Sequence, residues 1–402
     1  MEASPMSLFE KFIKEAFGSQ YVIPVYQRNY TWKKNQQVKQ LLDDIEKIAK
    51  GNVKRHFIGS IVYVITKTNF MVRERAVVDG QQRIITMFLI VHALRALATE
   101  AGDNENANLL TSNYLENINE SGDYKYRLRT SVSDDDVYSY IAKQKVDEVE
   151  DTGSKIYINY MFLFEELKKM IENYGFMQVV NAIRELYIVR IELDENDNAQ
   201  QIFESINSTG EKLTSADLIR NFIMMNKLNE DQERIYNDYW LKMEKIFVES
   251  KKLEEFFRFY LAVQKYTLVS IKDLYEEFKI YWKNETAITG ENSELQRILT
   301  YAKHYERLYI SEKLDVIGGV LEDFRKLKTY MPAPFMMEML ELNRKNIINI
   351  SQTAEIIALM NTYLIRRYLA GQDTSAISRF FPTYLKNVVS KANEIGYDNI
   401  VD

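Results

Sequence analysis

Ala76-Val77-Val78-Asp79-Gly80-Gln81-Gln82-Arg83-Ile84-Ile85-Thr86-Met87-Phe88-Leu89-Ile90 is the stretch on which the reading of this chain turns. A short apolar run stops at Asp79-Gly80, and a long apolar segment begins directly after Arg83. That pattern predicts a strand, a tight turn and the first turn of a helix. The first N–H groups of a helix have no partner inside it, and its dipole leaves about half a positive charge there, so anions settle at that end. Gly80 permits the turn and close approach of a ligand to the backbone. The planar fork of Arg83 matches phosphate oxygens. The stretch therefore predicts a phosphate site.

The flanking sequence supplies the rest of a small α+β unit. Residues 57–65, rich in β-branched and aromatic side chains, predict a strand, and 71–78 its antiparallel partner. Residues 7–17 and 35–50 have helical spacing, 21–32 reads as extended or looped, and 186–193 fits a short strand. Polar 102–108 reads as a loop, and the acidic runs Asp134-Asp135-Asp136 and 147–151 as solvated surface. Thr214 followed by Asp217 is a capping-box variant opening another helix. From 230 onward the chain reads as successive amphipathic helices. The expectation is a predominantly helical α+β fold divided at 1–110, 111–228 and 229–402.

Composition narrows the chemistry. The 402 residues contain no cysteine and three histidines, His56, His92 and His304, scattered along the chain. Disulfides and cysteine-ligated metals are excluded, a histidine-rich metal centre is not expected, and a reducing, cytoplasmic compartment is expected. His92 lies within an apolar helix and reads as a core residue. No apolar run approaches the ~18 residues of a membrane span, so no membrane partner is expected. Net charge is −6, which argues against general nucleic-acid binding. Between residues 27 and 55, however, eight basic residues face three acidic ones. That patch is either a solvated helix face or a surface turned to a polyanion.

Four stretches occur together and in order. They are Ile23-Pro24-Val25-Tyr26-Gln27-Arg28-Asn29-Tyr30-Thr31-Trp32, His56-Phe57-Ile58-Gly59-Ser60-Ile61-Val62, Val78-Asp79-Gly80-Gln81-Gln82-Arg83, and the run from Ile202 through Asn207-Ser208-Thr209-Gly210 to Asn221. In this order they resemble the N-terminal domain of GmrSD-type restriction endonucleases, whose front part is related to the ParB/sulfiredoxin fold. The resemblance implies a ParB/sulfiredoxin-like unit followed by a helical domain. It also implies a nucleotide-binding, nucleotide-hydrolysing domain of an anti-phage system that restricts modified phage DNA. Such proteins carry an HNH-type nuclease domain, and a nuclease domain or subunit is an expected partner. No histidine follows His304, so DNA cleavage by these residues is not expected.

By that resemblance, Asp79, Gln82 and Arg83 are the catalytic candidates, with a nucleoside triphosphate and magnesium as ligand. Asp79 would handle metal or water, or else cap the helix. Arg83 would neutralise phosphoryl charge, or else form a structural ion pair. Gln27, Arg28, Gly80, Gln81, Thr86, Asn207, Thr209 and Gly210 are the phosphate- and nucleotide-binding candidates. Tyr26, Tyr30, Lys33 and Lys34 are candidates for contact with DNA or a base, the aromatics either stacking or anchoring their loop. Gly59 reads first as close packing against the Arg83 helix. No dedicated metal cage is visible. The alternative function is a non-catalytic module binding modified DNA through its phosphates. Tyrosine-rich helical faces in the second half are core or a subunit interface, which leaves a homo-oligomer open.

Overall fold

The computed structural model describes all residues except 1, 9–12, 14–17, 69–71, 195–196, 198, 208–212, 226, 228, 312–316, 373–376, 399 and 402. The chain divides into two compact units, Met1–Gly210 and Glu211–Asp402. The fold is α+β and predominantly helical, with the described strands confined to the first unit.

The first unit is built on a six-stranded mixed sheet in the order β1-β6-β3-β4-β2-β5. The strands are β1 Glu2–Ser7, β2 Gly18–Val22, β3 His56–Thr68, β4 Val72–Asp79, β5 Leu128–Arg129 and β6 Leu186–Leu193. Its centre is the predicted antiparallel pair β3–β4, with Tyr63 opposite Val77 and Val62 opposite Asp79. β6 adds parallel to β3, and β2 parallel to β4. β5 and β6, which lie after residue 110 in the sequence, belong to this sheet. Pro5 is tolerated in β1 because that strand lies at the sheet edge, where a ladder donor can be missing.

Among the described residues seven α-helices pack with the sheet: α1 Lys39–Ala49, α2 Gln81–Glu100, α3 Asn104–Leu110, α4 Val132–Ala142, α5 Lys155–Tyr174, α6 Phe176–Arg184 and α7 Ala199–Asn207. α2 is the central one. Its Ile84, Ile85, Met87, Leu89, Ile90 and Ala93 are fully buried, and it packs on α5 and α3. By length and composition this 20-residue helix could cross a membrane, but 83% of its apolar window is buried inside the protein. A helix apolar all round is what a core position demands.

Two local expectations are corrected. Residues 104–110 form a helix rather than a loop, because Asp103 caps the backbone N–H of Asn106 at 3.1 Å and Ala107 and Leu110 are buried. The acidic triplet lies in α4, not in a solvated loop, and Asp134 is buried. The helix expected over 7–17 falls largely outside the described residues.

The second unit is helical among its described residues, with α8 Ser215–Met224 opened by the predicted capping box of Thr214 and Asp217. Its core is aromatic: Trp240 stacks on Phe257 and Phe247 on Phe256. Fully buried Glu294 accepts hydrogen bonds from the hydroxyls of Tyr260 and Tyr281 and pairs with Arg297. A charge that far from water persists only with such partners.

Candidate functional site

At the end of β4 the chain turns through Gly80, at φ 92° and ψ 9°, directly into α2. Glycine is required there twice over. The left-handed conformation penalises any Cβ, and a Cβ would lie 2.9 Å from the carbonyl oxygen of Ser60 and 3.1 Å from Ile61. The close approach at this glycine is thus to the backbone of β3. Among the described residues no side chain caps α2, and the first bond to its leading carbonyl is Ile84 N–H to Gly80 O at 3.0 Å. The N–H groups of Gln81, Gln82 and Arg83 form the positive end of the helix.

Arg83 and Asp79 flank that end. The Nη2 of Arg83 donates to Asp79 Oδ2 at 3.1 Å and to the Ser60 carbonyl at 2.6 Å. Both side chains keep about a quarter of their surface in solvent, 25% and 22%, so the pair is a structural contact that solutes can still reach. A register shift between Phe57 and Ser60 bulges β3 at Gly59, whose φ is 111°. A Cβ on Gly59 would lie 2.9 Å from Nη1 of Arg83, so the bulge makes room for the guanidinium. This is the close packing predicted for Gly59. Gln81 is buried, and its Oε1 has no hydrogen-bond partner among the described residues.

The aromatic segment 26–32 lies against the same turn, held by side chains proposed for ligand contact. Gln27 Nε2 donates to the Val78 carbonyl at 2.8 Å. Gln82 Oε1 accepts the backbone N–H of Thr31 at 2.7 Å and of Trp32 at 3.2 Å, while its Nε2 donates to Asn29 O at 3.1 Å. The Thr86 hydroxyl is 2.7 Å from the Gln82 carbonyl and 2.7 Å from the Tyr30 hydroxyl. Tyr26 and Tyr30 are each 3% exposed, and burial pushes both hydroxyl pKa values up. Their faces are packed in the protein rather than offered to solvent. Arg28 is half-buried, and Lys33 and Lys34 are exposed.

Residues 8–224 match the family described as GmrSD restriction endonuclease, N-terminal domain. The chain belongs to that family. No curated protein matches the sequence.

In this GmrSD-type domain, two polar residues at the turn escaped the sequence reading. Asp134 Oδ2 accepts the backbone N–H of Tyr30 at 2.7 Å, and Asn159 Nδ2 donates to the Trp32 carbonyl at 2.8 Å. Burial raises the Asp134 carboxyl above its ordinary value, opposed by the Tyr30 N–H and the Ser131 hydroxyl. Neither residue stands in a local motif. Their partners are 104 and 127 residues away in sequence, so only the tertiary fold reveals them.

Of the remaining candidates of this GmrSD-type domain, Asn207 ends α7, and its side chain lies outside the described residues together with Thr209 and Gly210. His92 is a core residue as expected, its Nε2 3.1 Å from the Tyr138 hydroxyl. His56 lies 3.2 Å from Asp44 on α1. Among the described residues no group of three or more acidic or histidine side chains could hold a metal.

Proposed function

We propose that this chain is the nucleoside-triphosphate-binding, and hydrolysing, regulatory or sensor domain of a modification-dependent anti-phage restriction system. The observation that supports it is the uncapped start of α2, with Arg83 and Asp79 at its rim and still reached by solvent. Phosphate oxygens would take the N–H groups of Gln81, Gln82 and Arg83. Arg83 would offer its guanidinium to the anion from its place beside Asp79 and the Ser60 carbonyl, balancing charge that develops during phosphoryl transfer. Magnesium would arrive on the phosphates and meet one carboxylate, Asp79, supplying further charge neutralisation. Gln27, Gln82, Thr86 and Tyr30 would then act as struts, since each bonds through its side chain within the protein.

A second reading, a non-catalytic module gripping modified DNA, is favoured by the exposed Lys33 and Lys34 that follow the pinned loop. Phosphate release from magnesium-ATP and magnesium-GTP separates the two. The enzymatic reading expects release by the purified chain and its loss in Arg83→Ala, with the fold intact by circular dichroism. The DNA reading expects no release, and duplex binding that weakens steeply with salt in proportion to the phosphates contacted.

A further inference from the structure

The loop 29–32 is fastened by side chains from three helices. From α2 come Gln82, at the N–H groups of Thr31 and Trp32, and Thr86, at the Tyr30 hydroxyl. From α4 comes Asp134, at the Tyr30 N–H. From α5 comes Asn159, at the Trp32 carbonyl. Three consecutive backbone N–H groups, those of Tyr30, Thr31 and Trp32, thus end on side-chain oxygens rather than in a ladder or a helix. A loop held so has lost its freedom before any ligand arrives, which lowers the ordering cost of binding.

The bond from Asp134 is also the most exacting of these. It brings a carboxylate into a buried setting, and a carboxylate is kept there only by donors that satisfy it. The Tyr30 N–H and, at 3.3 Å, the Ser131 hydroxyl are its donors. A backbone N–H could have been satisfied by a neutral oxygen. The charged partner strengthens the bond and ties the loop to a segment absent from the four motifs.

We propose that Asp134, with Asn159 as its counterpart on α5, is a positioning residue that holds the 29–32 loop in place as a wall of the phosphate site at the start of α2. This rests on the nucleotide reading above and extends it: α4 and α5 belong to the binding site although neither contributes a ligand-contacting group. Asp134 fixes the N-terminal half of the loop, and Asn159 fixes its end, beside exposed Lys33.

The test uses the full chain labelled with fluorotryptophan, in which Trp32 is the only tryptophan of the first unit. The fluorine resonance of Trp32 is followed while magnesium-ATP or magnesium-GTP is titrated. Wild type is expected to show a saturable shift. Asp134→Ala is expected to broaden or move the Trp32 resonance before any ligand is added. It should also weaken the apparent Kd about tenfold, the size expected when a pre-ordered loop must be ordered at binding. Asp134→Asn, which keeps an acceptor oxygen, should recover part of that loss. Asn159→Ala gives the same readout from another helix should Asp134→Ala fail to fold. A variant with a lowered Tm but an unchanged Kd and Trp32 resonance would overturn the proposal and leave the nucleotide reading standing. Wild type without response to either nucleotide would overturn both.

Discussion

Gln82 Oε1 accepts the backbone N–H of Thr31 at 2.7 Å, and this one acceptor joins the start of α2 to the aromatic loop 51 residues earlier. The same oxygen takes Trp32 N–H, and the amide nitrogen reaches Asn29 O. Truncation in Gln82→Ala would strand two backbone donors beside the core. The expected loss is about 2–4 kcal/mol, at roughly 1–3 kcal/mol for each orphaned donor with partial rescue by water. Urea unfolding followed by the fluorine resonance of Trp32 in the fluorotryptophan-labelled chain measures it. A Gln82→Ala chain of wild-type stability that no longer releases phosphate would instead make Gln82 a ligand contact.

Gly80→Ala should be costly for steric reasons that no repacking relieves. Its Cβ would meet a strand carbonyl at 2.9 Å, and the left-handed backbone adds its own penalty. The sum is about 2–4 kcal/mol. Far-ultraviolet circular dichroism during urea titration would show an earlier first transition. Equal midpoints would mean that β3 can withdraw from the turn.

Much of this arrangement is written locally. The β3–β4 pair, the long helix after Gly80, the strand at 186–193 and the capping box of Thr214 with Asp217 each carry their signal within one continuous stretch of sequence. What stays hidden depends on distant partners. β2, Gly18-Ser-Gln-Tyr-Val22, has no alternation of its own and is a strand because β4 lies parallel to it. Asp134 looks like one member of a solvated acidic run until the Tyr30 N–H is brought to it. The internal bonds of Gln27, Gln82 and Thr86 are hidden the same way. Their residue types suit a ligand and a strut equally, and only tertiary packing shows the bonds they make inside the protein.

His92 makes the first unit sensitive to acid. It is buried, and desolvation followed by the charge of Arg95 holds its pKa well below the usual value near 6.5. Below about pH 6.5 the unfolded chain takes up a proton that the folded chain refuses, so stability falls as pH drops and is intact above that value. The limiting slope is about 1.4 kcal/mol per pH unit for one proton. Unfolding free energies from urea titration of the Trp32 fluorine resonance between pH 7.5 and 5 should show that slope in wild type and a flatter one in His92→Gln, which keeps a polar group facing Tyr138. Parallel slopes in the two proteins would assign the acid sensitivity to other groups.

Gly59→Ala isolates the placement of Arg83 from its charge. The new methyl group would meet Nη1 of Arg83 at 2.9 Å, and because that atom ends a flexible side chain, the arginine can yield. Yielding breaks its donation to Ser60 O and its pairing with Asp79 while the guanidinium remains in the protein. The backbone at φ 111° adds strain of roughly 1–2 kcal/mol, which the first unit should survive folded. If Arg83 serves phosphate only from its present position, release from magnesium-GTP should fall on the order of tenfold, about 1.4 kcal/mol of lost transition-state stabilisation. Arg83→Lys, which keeps a cation but not the fork, should fall at least as far. Steady-state phosphate release with folding checked by circular dichroism measures both. A Gly59→Ala protein with wild-type turnover would show that the guanidinium finds the phosphate from wherever it rests, and that the bulge in β3 serves packing alone.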